Sequence, residues 1–251
     1  MMEEPPEINE KSEGEDLNFF GHLEELRKRI VYSLIGLVVT CGVAGFFIED
    51  IMNKVLLAPA TAVHLNLQNL KPFGIPFLYF KLIFIVGLIF AFPFILFQLW
   101  KFIEPALYIK EKKWARWITF FTTLCFLSGI AFAYYFMVPS MLGFAATFGT
   151  SKIENNIDIN EYFGFITMMM LAAGLIFEMP MLSYVLTRFR IITPKMLTKY
   201  WRHATVGIFV IAAILTPTPD PINQMFFAIP LFVLYIISIW VSKISYTNKE
   251  N

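Results

Sequence analysis

The sequence predicts an all-α integral membrane protein with six transmembrane helices, because long apolar runs dominate a chain that carries few charges. Of the 251 residues, 57% are hydrophobic and only 16% are charged. A hydrocarbon core of about 30 Å needs about 20 consecutive apolar residues in a helix. Runs that approach or exceed this length lie at 30–48, 77–99, 117–139 and 162–186.

The last two predicted spans differ from the first four. The fifth, 204–216, is short, because the apolar run from Ala204 to Leu215 supplies only 12 residues, or roughly 18 Å of helix. The sixth, 222–242, contains Pro230, whose missing N–H group and ring favour a kink. We therefore expect two short final helices, which make the bundle concave and glove-like and require a thinner bilayer or shelter by neighbouring helices.

Lys and Arg residues are concentrated in the segments that lie inside if the N-terminus is cytoplasmic. Those segments hold 16 of the 20 basic residues, whereas the predicted outside loops hold only Lys54, Lys71 and Lys152. Lys81 falls inside the second span, where its long side chain can reach the headgroups. Because basic residues near span ends stay on the cytoplasmic side, the sequence predicts a cytoplasmic-membrane protein with both termini inside.

The two ends of the chain are predicted to lie outside the helical bundle. Residues 1–18 are rich in acids and are predicted to form a disordered cytoplasmic tail, 19–242 the transmembrane domain, and 243–251 a cytoplasmic C-tail. The acidic N-terminus does not resemble a cleavable signal peptide, which begins with a basic region. Cys41 and Cys125 fall inside apolar spans, so we expect small buried side chains rather than a disulfide.

Two carboxylates stand directly before the first span, where orientation alone would require only basic residues. They are Glu24 and Glu25, in the segment His22–Arg29. Apolar residues recur at intervals of four, three and four between positions 19 and 30, which predicts a short helix on the membrane surface with its acids toward the cytoplasm. A simpler interpretation is that the acids only pair with basic residues at helical spacing.

Three other polar features interrupt the apolar pattern. The loop after span two carries Trp100, an expected interfacial anchor, and Glu111, an isolated acid among bases that solvent or a local partner would also explain. Glu178 lies about two-thirds of the way through span four, where a charge is costly and usually faces a partner, a watery cavity or a transport path. Between spans five and six, three prolines predict an extended outside turn, with Asp220 placed to cap the last helix.

These segments together resemble the TatC family, the polytopic core of the twin-arginine protein translocase. They occur in family order across nearly all of residues 19–242, and their combination with six spans is far more specific than any one of them. The matching segments are His22–Arg29, Phe102–Tyr108 with Glu111, Phe177–Pro180, and Thr216–Gln224 with Ala228–Pro230. One position departs from the family pattern, because Ile236 stands where members often carry an acid.

The resemblance implies a receptor for signal peptides that bear two consecutive arginines. Glu25 and Glu111 are the candidate acids, because a planar guanidinium fork matches carboxylate oxygens and two arginines require two acids at a fixed separation. They come from different cytoplasmic segments, so the site would exist only in the folded bundle. The remaining residues assigned to this site are His22, Leu26, Arg27 and Phe102.

The resemblance also implies a scaffold that recruits single-span subunits resembling TatA and TatB, assembles with further copies of itself and uses the proton motive force. We assign Glu178, Gln98 and Gln224 to the docking of partner helices within the membrane. Pro59 and Asp220 are assigned structural roles in the outside loops. For Glu178 a proton relay is the alternative, which is less favoured because no second membrane-embedded acid or histidine continues the path.

Other classes of function fit the sequence less well. A proton-coupled small-solute transporter would also use Glu178, but such folds usually have internal repeats, and we find none. The three histidines, at positions 22, 64 and 203, are far apart along the chain, and neither a serine elbow nor a nucleotide-binding glycine loop is present. We therefore expect no enzymatic activity, cofactor, metal ion or nucleic-acid partner.

Overall fold

The computed structural model describes residues 10–63, 65–103, 112–147, 156–216 and 221–247, and these residues are mostly helical. The α-helices are α1 (Glu10–Ile51), α2 (Ala58–Ala62), α3 (Gly74–Ile103), α4 (Lys112–Phe132), α5 (Val138–Thr147), α6 (Ile159–Phe177), α7 (Met179–Arg188), α8 (Pro194–Lys199), α9 (Trp201–Leu215) and α10 (Pro221–Thr247). The helical class predicted from the apolar runs is therefore confirmed.

Within the described ranges, five helical stretches are long and apolar enough to cross a membrane. They are Leu23–Ala62, Gly74–Phe102, Trp117–Ala146, Ile159–Arg188 and Phe227–Thr247. Two of these stretches continue through short π-helical segments, Met52–Leu56 after α1 and Ala133–Met137 after α4. The apolar helix α9 has only 15 residues, or about 22 Å, which agrees with the short fifth span predicted.

The final helix is longer than predicted. Helix α10 has 27 residues and continues through Pro230, so the expectation of two short final helices is wrong for this one. The hydroxyl oxygens of Ser242 and Thr187 lie 2.6 Å apart. The Ser245 hydroxyl donates to the Tyr184 carbonyl at 3.1 Å. Because these polar positions of α10 are buried against α7, the helix does not end where the apolar run ends.

Helix α1 is continuous from the charged N-terminal segment into the first span. Its 42 residues measure about 63 Å, roughly twice the thickness of a hydrocarbon core. The predicted separate surface helix over 19–30 is therefore wrong, because no proline or turn interrupts α1 there. Residues 10–18, which we expected in the disordered tail, are also helical, whereas 1–9 lie outside the described residues.

Glycines allow two pairs of helices to approach closely. Helices α1 and α3 touch at Gly87, where an added Cβ would lie 2.9 Å from the Cys41 Cα atom. At the same point the Thr40 hydroxyl donates to the Gly87 carbonyl at 2.9 Å. Helices α4 and α6 touch at Gly129, where an added Cβ would lie 2.9 Å from the Gly174 Cα atom. Larger side chains would push these helices apart, so the glycines fix the positions of the polar groups along them.

A small parallel sheet is an exception to the all-α prediction. Strand β1 (Asn66–Gln68) precedes α3 and strand β2 (Asn156–Asp158) precedes α6, with Leu67 opposite Ile157. The sheet thus joins two connecting segments that are far apart in the sequence. It was not predicted because each strand has only three residues and pairs with the other only in the folded chain.

Asp158 ties this sheet to helix α6. One carboxylate oxygen accepts the Asn160 N–H at 2.7 Å and caps the helix, and the other accepts the Leu70 N–H at 3.2 Å, from the segment after β1. Burial acts to raise the pKa of this carboxyl, but hydrogen bonds to its charged form outweigh burial and hold the pKa below its ordinary value. The charged carboxylate therefore stabilises the fold.

A tyrosine hydroxyl anchors the segment between α1 and β1, which contains Pro59. The Tyr162 hydroxyl donates to the Leu56 carbonyl at 2.8 Å and accepts the Ala60 N–H at 3.1 Å. Pro59 lies between these two contacts, buried in the first turn of α2. The structural role assigned to Pro59 stays a prediction. Asp220, the other residue assigned a structural role, lies outside the described residues.

Low pH should weaken the hydrogen bonds by which Asp158 joins the sheet to α6. A lowered pKa means that its stabilisation is complete above about pH 4 and is lost as the pH falls through the folded value. We expect Asp158→Ala to lower the thermal unfolding midpoint of the detergent-purified protein at neutral pH. Asp158→Asn keeps a capping oxygen but cannot titrate, so its midpoint should fall less than that of the wild type as the pH drops below about 4. Equal acid dependence in wild type and Asp158→Asn would contradict this assignment.

Candidate functional site

An acid, a base and an amide meet where the N-terminal part of α1 packs against the end of α3. The Arg29 guanidinium donates one N–H to Glu25 Oε1 at 3.1 Å and another to Gln98 Oε1 at 3.2 Å. Gln98 is only 7% exposed, and the Glu25 and Arg29 side chains are 30% and 24% exposed. These three residues, the Glu25 cluster, therefore form a half-buried polar site that joins two helices.

The two neighbouring acids of α1 have different surroundings. Both pair with a base four residues further on, as the simpler interpretation of the sequence predicted. The pair of Glu24 with Lys28, at 2.9 Å, joins side chains that are 66% and 63% exposed. The Glu25 pair is better shielded from water and salt, so its attraction is less screened. Of the two pairs, the Glu25 pair is the one held against a second helix.

Gln98 lies at this site rather than on a surface that faces the lipid. We assigned it to partner docking, but its side chain is buried and its side-chain oxygen accepts a hydrogen bond from Arg29. Arg29 was not among the predicted site residues. Its helical spacing from Glu25 is visible in the sequence, but its contact with a residue 69 positions away is not.

The other residues predicted for the signal-peptide site lie near this end of the bundle or outside the described residues. On α1, Leu26 is half-buried and Arg27 is exposed. Phe102 is half-buried in the last turn of α3. The side chain of His22 and the whole of Glu111 fall outside the part of the chain that the structure describes. The pairing of two acids in one composite site therefore stays a prediction.

Trp100 is buried, which corrects its predicted role as an interfacial anchor. It packs with Leu96, Ile118 and Val185 in a small core between α3, α4 and α7. It therefore presents no exposed aromatic surface to a ligand. The sequence did not reveal this, because α3 is apolar on nearly every side and its pattern does not mark an inward face.

Glu178 is a buried carboxyl at the junction of α6 and α7. Pro180, in the first turn of α7, interrupts the helical hydrogen bonds at this junction. Glu178 is 4% exposed, and among the described residues neither of its carboxylate oxygens has a hydrogen-bond partner. The glycine contact of α4 with α6 lies one turn away. Because an unpartnered buried carboxyl is costly, it marks a candidate binding position.

Gln224 bridges α10 and α9. Its side-chain amide donates to the Phe209 carbonyl at 3.0 Å. An open apolar groove of about 280 Å³ runs between the same two helices. The groove is lined by Thr205, Ile208, Phe209, Met225, Ala228, Ile229, Phe232 and Val233. The predicted docking residue Gln224 is therefore bonded within the chain, at the edge of an apolar surface.

These features define a class of protein. The chain is a polytopic helical membrane protein. It has the half-buried Glu25 cluster where α1 packs against the end of α3, and an unpartnered carboxyl within a membrane-spanning stretch. The described residues contain no group of three or more His, Cys, Asp or Glu side chains suited to a metal ion. Cys41 and Cys125 are free thiols.

Comparisons with known proteins identify the family. A family model described as Sec-independent protein translocase protein (TatC) matches residues 21–230. The protein of that name from Deinococcus radiodurans is 35% identical over 231 residues, which cover 90% of this chain and 85% of that protein. TatCy from Bacillus subtilis is 35% identical over 235 residues, which cover 93% and 92% of the two chains. The chain belongs to the TatC family.

A solved structure agrees with this identification. The crystal structure of the twin arginine translocase receptor TatC matches this chain with a TM-score of 0.78 and 36% identity, covering 89% of this chain and 99% of the other. The family resemblance inferred from the sequence motifs is therefore confirmed. The family to which the chain belongs is a component of the Sec-independent protein translocase and is not one of the classic enzyme families.

Proposed function

We propose that this chain is the signal-peptide receptor and core scaffold of a twin-arginine translocase that exports folded proteins, with Glu25 as one of two acids that bind consecutive arginines. The observation that carries this proposal is the Glu25 cluster. Its carboxylate already accepts a guanidinium N–H at 3.1 Å in a half-buried setting. A carboxylate has lone pairs for more than one such donor. The description of the related crystal structure as a receptor supports the same role.

The second acid of the proposed site is Glu111. Helix α3 ends at Ile103, five residues after Gln98, or about 7.5 Å further along the helix axis. The last described residue before the segment that carries Glu111 therefore lies near the Glu25 cluster, which supports a site built from both segments. Phe102, half-buried in the last turn of α3, is suited to contact an apolar part of the peptide.

Partial burial would increase the affinity of such a site above that of exposed charges. Exposed ion pairs contribute about 0.2–1 kcal/mol each, whereas close charge pairs in protein interfaces reach about 1.5–7 kcal/mol. Glu25 is intermediate between these cases, because its side chain is half-buried. The planar fork of arginine binds both oxygens of a carboxylate, whereas the lysine ammonium acts as a point charge, so the site would favour arginine.

The proposed orientation places the Glu25 end of the bundle in the cytoplasm and both termini inside the cytoplasmic membrane. The basic residues support it, because 16 of the 20 lie in segments assigned to that side. The contact of Arg29 with Gln98 places the early part of α1 and the end of α3 on the same side of the bundle. The proposed energy source is the proton motive force, which the resemblance to the family implies.

Glu178 is proposed to dock the transmembrane helix of a single-span partner that resembles TatA or TatB. Its burial without a hydrogen-bond partner among the described residues supports this role. A protonated carboxyl offers both a donor and an acceptor to a polar residue of another helix. The apolar groove beside Gln224 is a second surface for such helices, and further copies of this chain belong to the proposed assembly. The family match does not favour the alternative of a small-solute transporter.

Loss of either proposed acid should weaken recognition and leave the bundle folded. Glu25→Ala and Glu111→Ala should each weaken binding of a twin-arginine signal peptide about tenfold, or about 1.4 kcal/mol, because each removes one carboxylate from a guanidinium. Glu25→Asp should also weaken binding, since it withdraws the carboxylate from a bidentate partner. Fluorescence anisotropy of a labelled peptide with the detergent-purified protein measures these affinities.

The matched control is Glu24→Ala, because this neighbouring acid lies on the same helix in an exposed pair with Lys28. It should leave peptide affinity unchanged. Unchanged affinity in both Glu25→Ala and Glu111→Ala would contradict the composite site. A loss confined to Glu24→Ala would transfer the role to Glu24.

Thiol labelling from outside intact cells tests the proposed orientation. In a variant without Cys41 and Cys125, a cysteine at the exposed position Lys195 of α8 should be protected from an impermeant reagent. A cysteine at the exposed position Lys71, just before α3, should be labelled. Both should react once the cells are broken, which is the control. Labelling of Lys195→Cys from outside would overturn the orientation.

Two substitutions of Glu178 separate partner docking from proton transfer. Glu178→Gln keeps a donor and an acceptor, so docking predicts that it retains most precursor export, whereas Glu178→Leu should lose both export and partner cross-links. Export into membrane vesicles and site-specific cross-linking measure the two effects. Glu161→Leu, at an exposed acid in the first turn of α6, should change neither. A Gln variant that assembles normally but exports nothing would contradict docking and favour a proton relay.

A further inference from the structure

Arg29 occupies a position that the proposed function assigns to an arginine of the signal peptide. Its guanidinium donates to Glu25 Oε1 at 3.1 Å. Gln98 accepts a second N–H at 3.2 Å, and most of the Arg29 side chain is buried. The chain therefore supplies its own guanidinium to the acid that would bind the ligand.

We propose that Arg29 is an internal competitor for the Glu25 carboxylate, so that an arginine of the signal peptide binds both carboxylate oxygens only by displacing this guanidinium. The inference rests on the proposed receptor function and adds Arg29 as a residue that determines how tightly the site binds a signal peptide. Arg29 acts through Glu25 and is a positioning residue, because it holds this carboxylate when no peptide is bound.

Gln98 makes the competitor effective. A side chain four residues away on the same helix is already at high local concentration near Glu25. The bond to Gln98 orients the guanidinium, which reduces the conformational entropy lost when it pairs with the carboxylate. A ligand that makes one weak contact cannot compete with this arrangement. Two arginines on one peptide can, because the second is proposed to bind a second acid, Glu111.

The exchange is nearly balanced in energy, because one guanidinium replaces another at the same carboxylate. Released Arg29 retains its bond to Gln98 and its access to water, so it is not left as an isolated buried charge. The bonds of Arg29 to Glu25 and to Gln98 use different guanidinium nitrogens, so release of Glu25 does not require release of Gln98. Net affinity then comes from the second arginine and from apolar contacts of the peptide.

The sign of the affinity change tests the proposal, because loss of a competitor tightens binding and loss of a structural residue weakens it. Arg29→Gln in the full-length protein should tighten binding of a labelled twin-arginine peptide about fivefold, and that of a single-arginine peptide by the same factor. Lys28→Gln removes the same charge from the same turn of α1 and should leave both affinities unchanged. In a Glu25→Ala background, Arg29→Gln should have no effect, since the two residues act through one contact.

Each alternative outcome has a separate meaning. Weaker or unchanged binding by Arg29→Gln, with Glu25→Ala still weakening binding, overturns the competitor and leaves the receptor function intact. An equal gain from Lys28→Gln also overturns it, since long-range charge would then explain the effect. Unchanged binding by Glu25→Ala overturns the proposed function itself.

A second variant keeps the test available if Arg29→Gln does not fold. Gln98→Leu retains the charge of Arg29 but removes the acceptor that orients it, so it should produce a smaller gain in affinity of the same sign. Weaker binding by a folded Gln98→Leu variant, as judged by its thermal unfolding midpoint, would overturn the proposal.

Discussion

The close contact of α1 with α3 determines where the acid of the proposed receptor site lies. At Gly87 a side chain would collide with α1, and the Thr40 hydroxyl joins the two helices at the same level. Arg29 and Gln98 each lie 11 residues from this contact, on α1 and α3 respectively, and the helices are still close enough there for a hydrogen bond. Without that approach, Glu25 would stand on an isolated helix in water, and its ion pair would have the small energy of an exposed one.

Many buried polar groups in the described bundle have partners, whereas both carboxylate oxygens of Glu178 lack one, as do Arg29 Nε, Trp100 Nε1 and Asn160 Nδ2. Some hydroxyls donate to carbonyls of their own helix, as those of Thr122 and Ser238 do. Others reach a second helix, as the Tyr235 hydroxyl does when it donates to the Leu197 carbonyl. Within a membrane each unpaired polar group costs several kcal/mol, so this pairing is needed for stability. The unpaired carboxyl oxygens of Glu178 therefore support the proposed contact with a partner helix.

Features that depend on local pattern could be predicted from the sequence, and features that depend on contacts between distant segments could not. The short α9 follows from its short apolar run. The length of α10 does not follow from its run, because Ser242 and Ser245 are favourable in the helix only when α7 packs against them. Glu25 was identified from its motif, but no periodicity reveals that Arg29 would reach Gln98. The short β-strands were missed for the same reason.

The two acids proposed to act, Glu25 and Glu178, differ in the partner that their surroundings suit. Water and Arg29 both stabilise a charge at Glu25, so a cationic peptide can bind there without large desolvation. At Glu178 a cation would have to lose its water inside a membrane-spanning stretch, which favours a neutral polar group instead. Hydrogen bonds between membrane helices contribute about 0.6–2 kcal/mol. A contact of that strength is reversible, so it suits a partner that joins and leaves an assembly during transport.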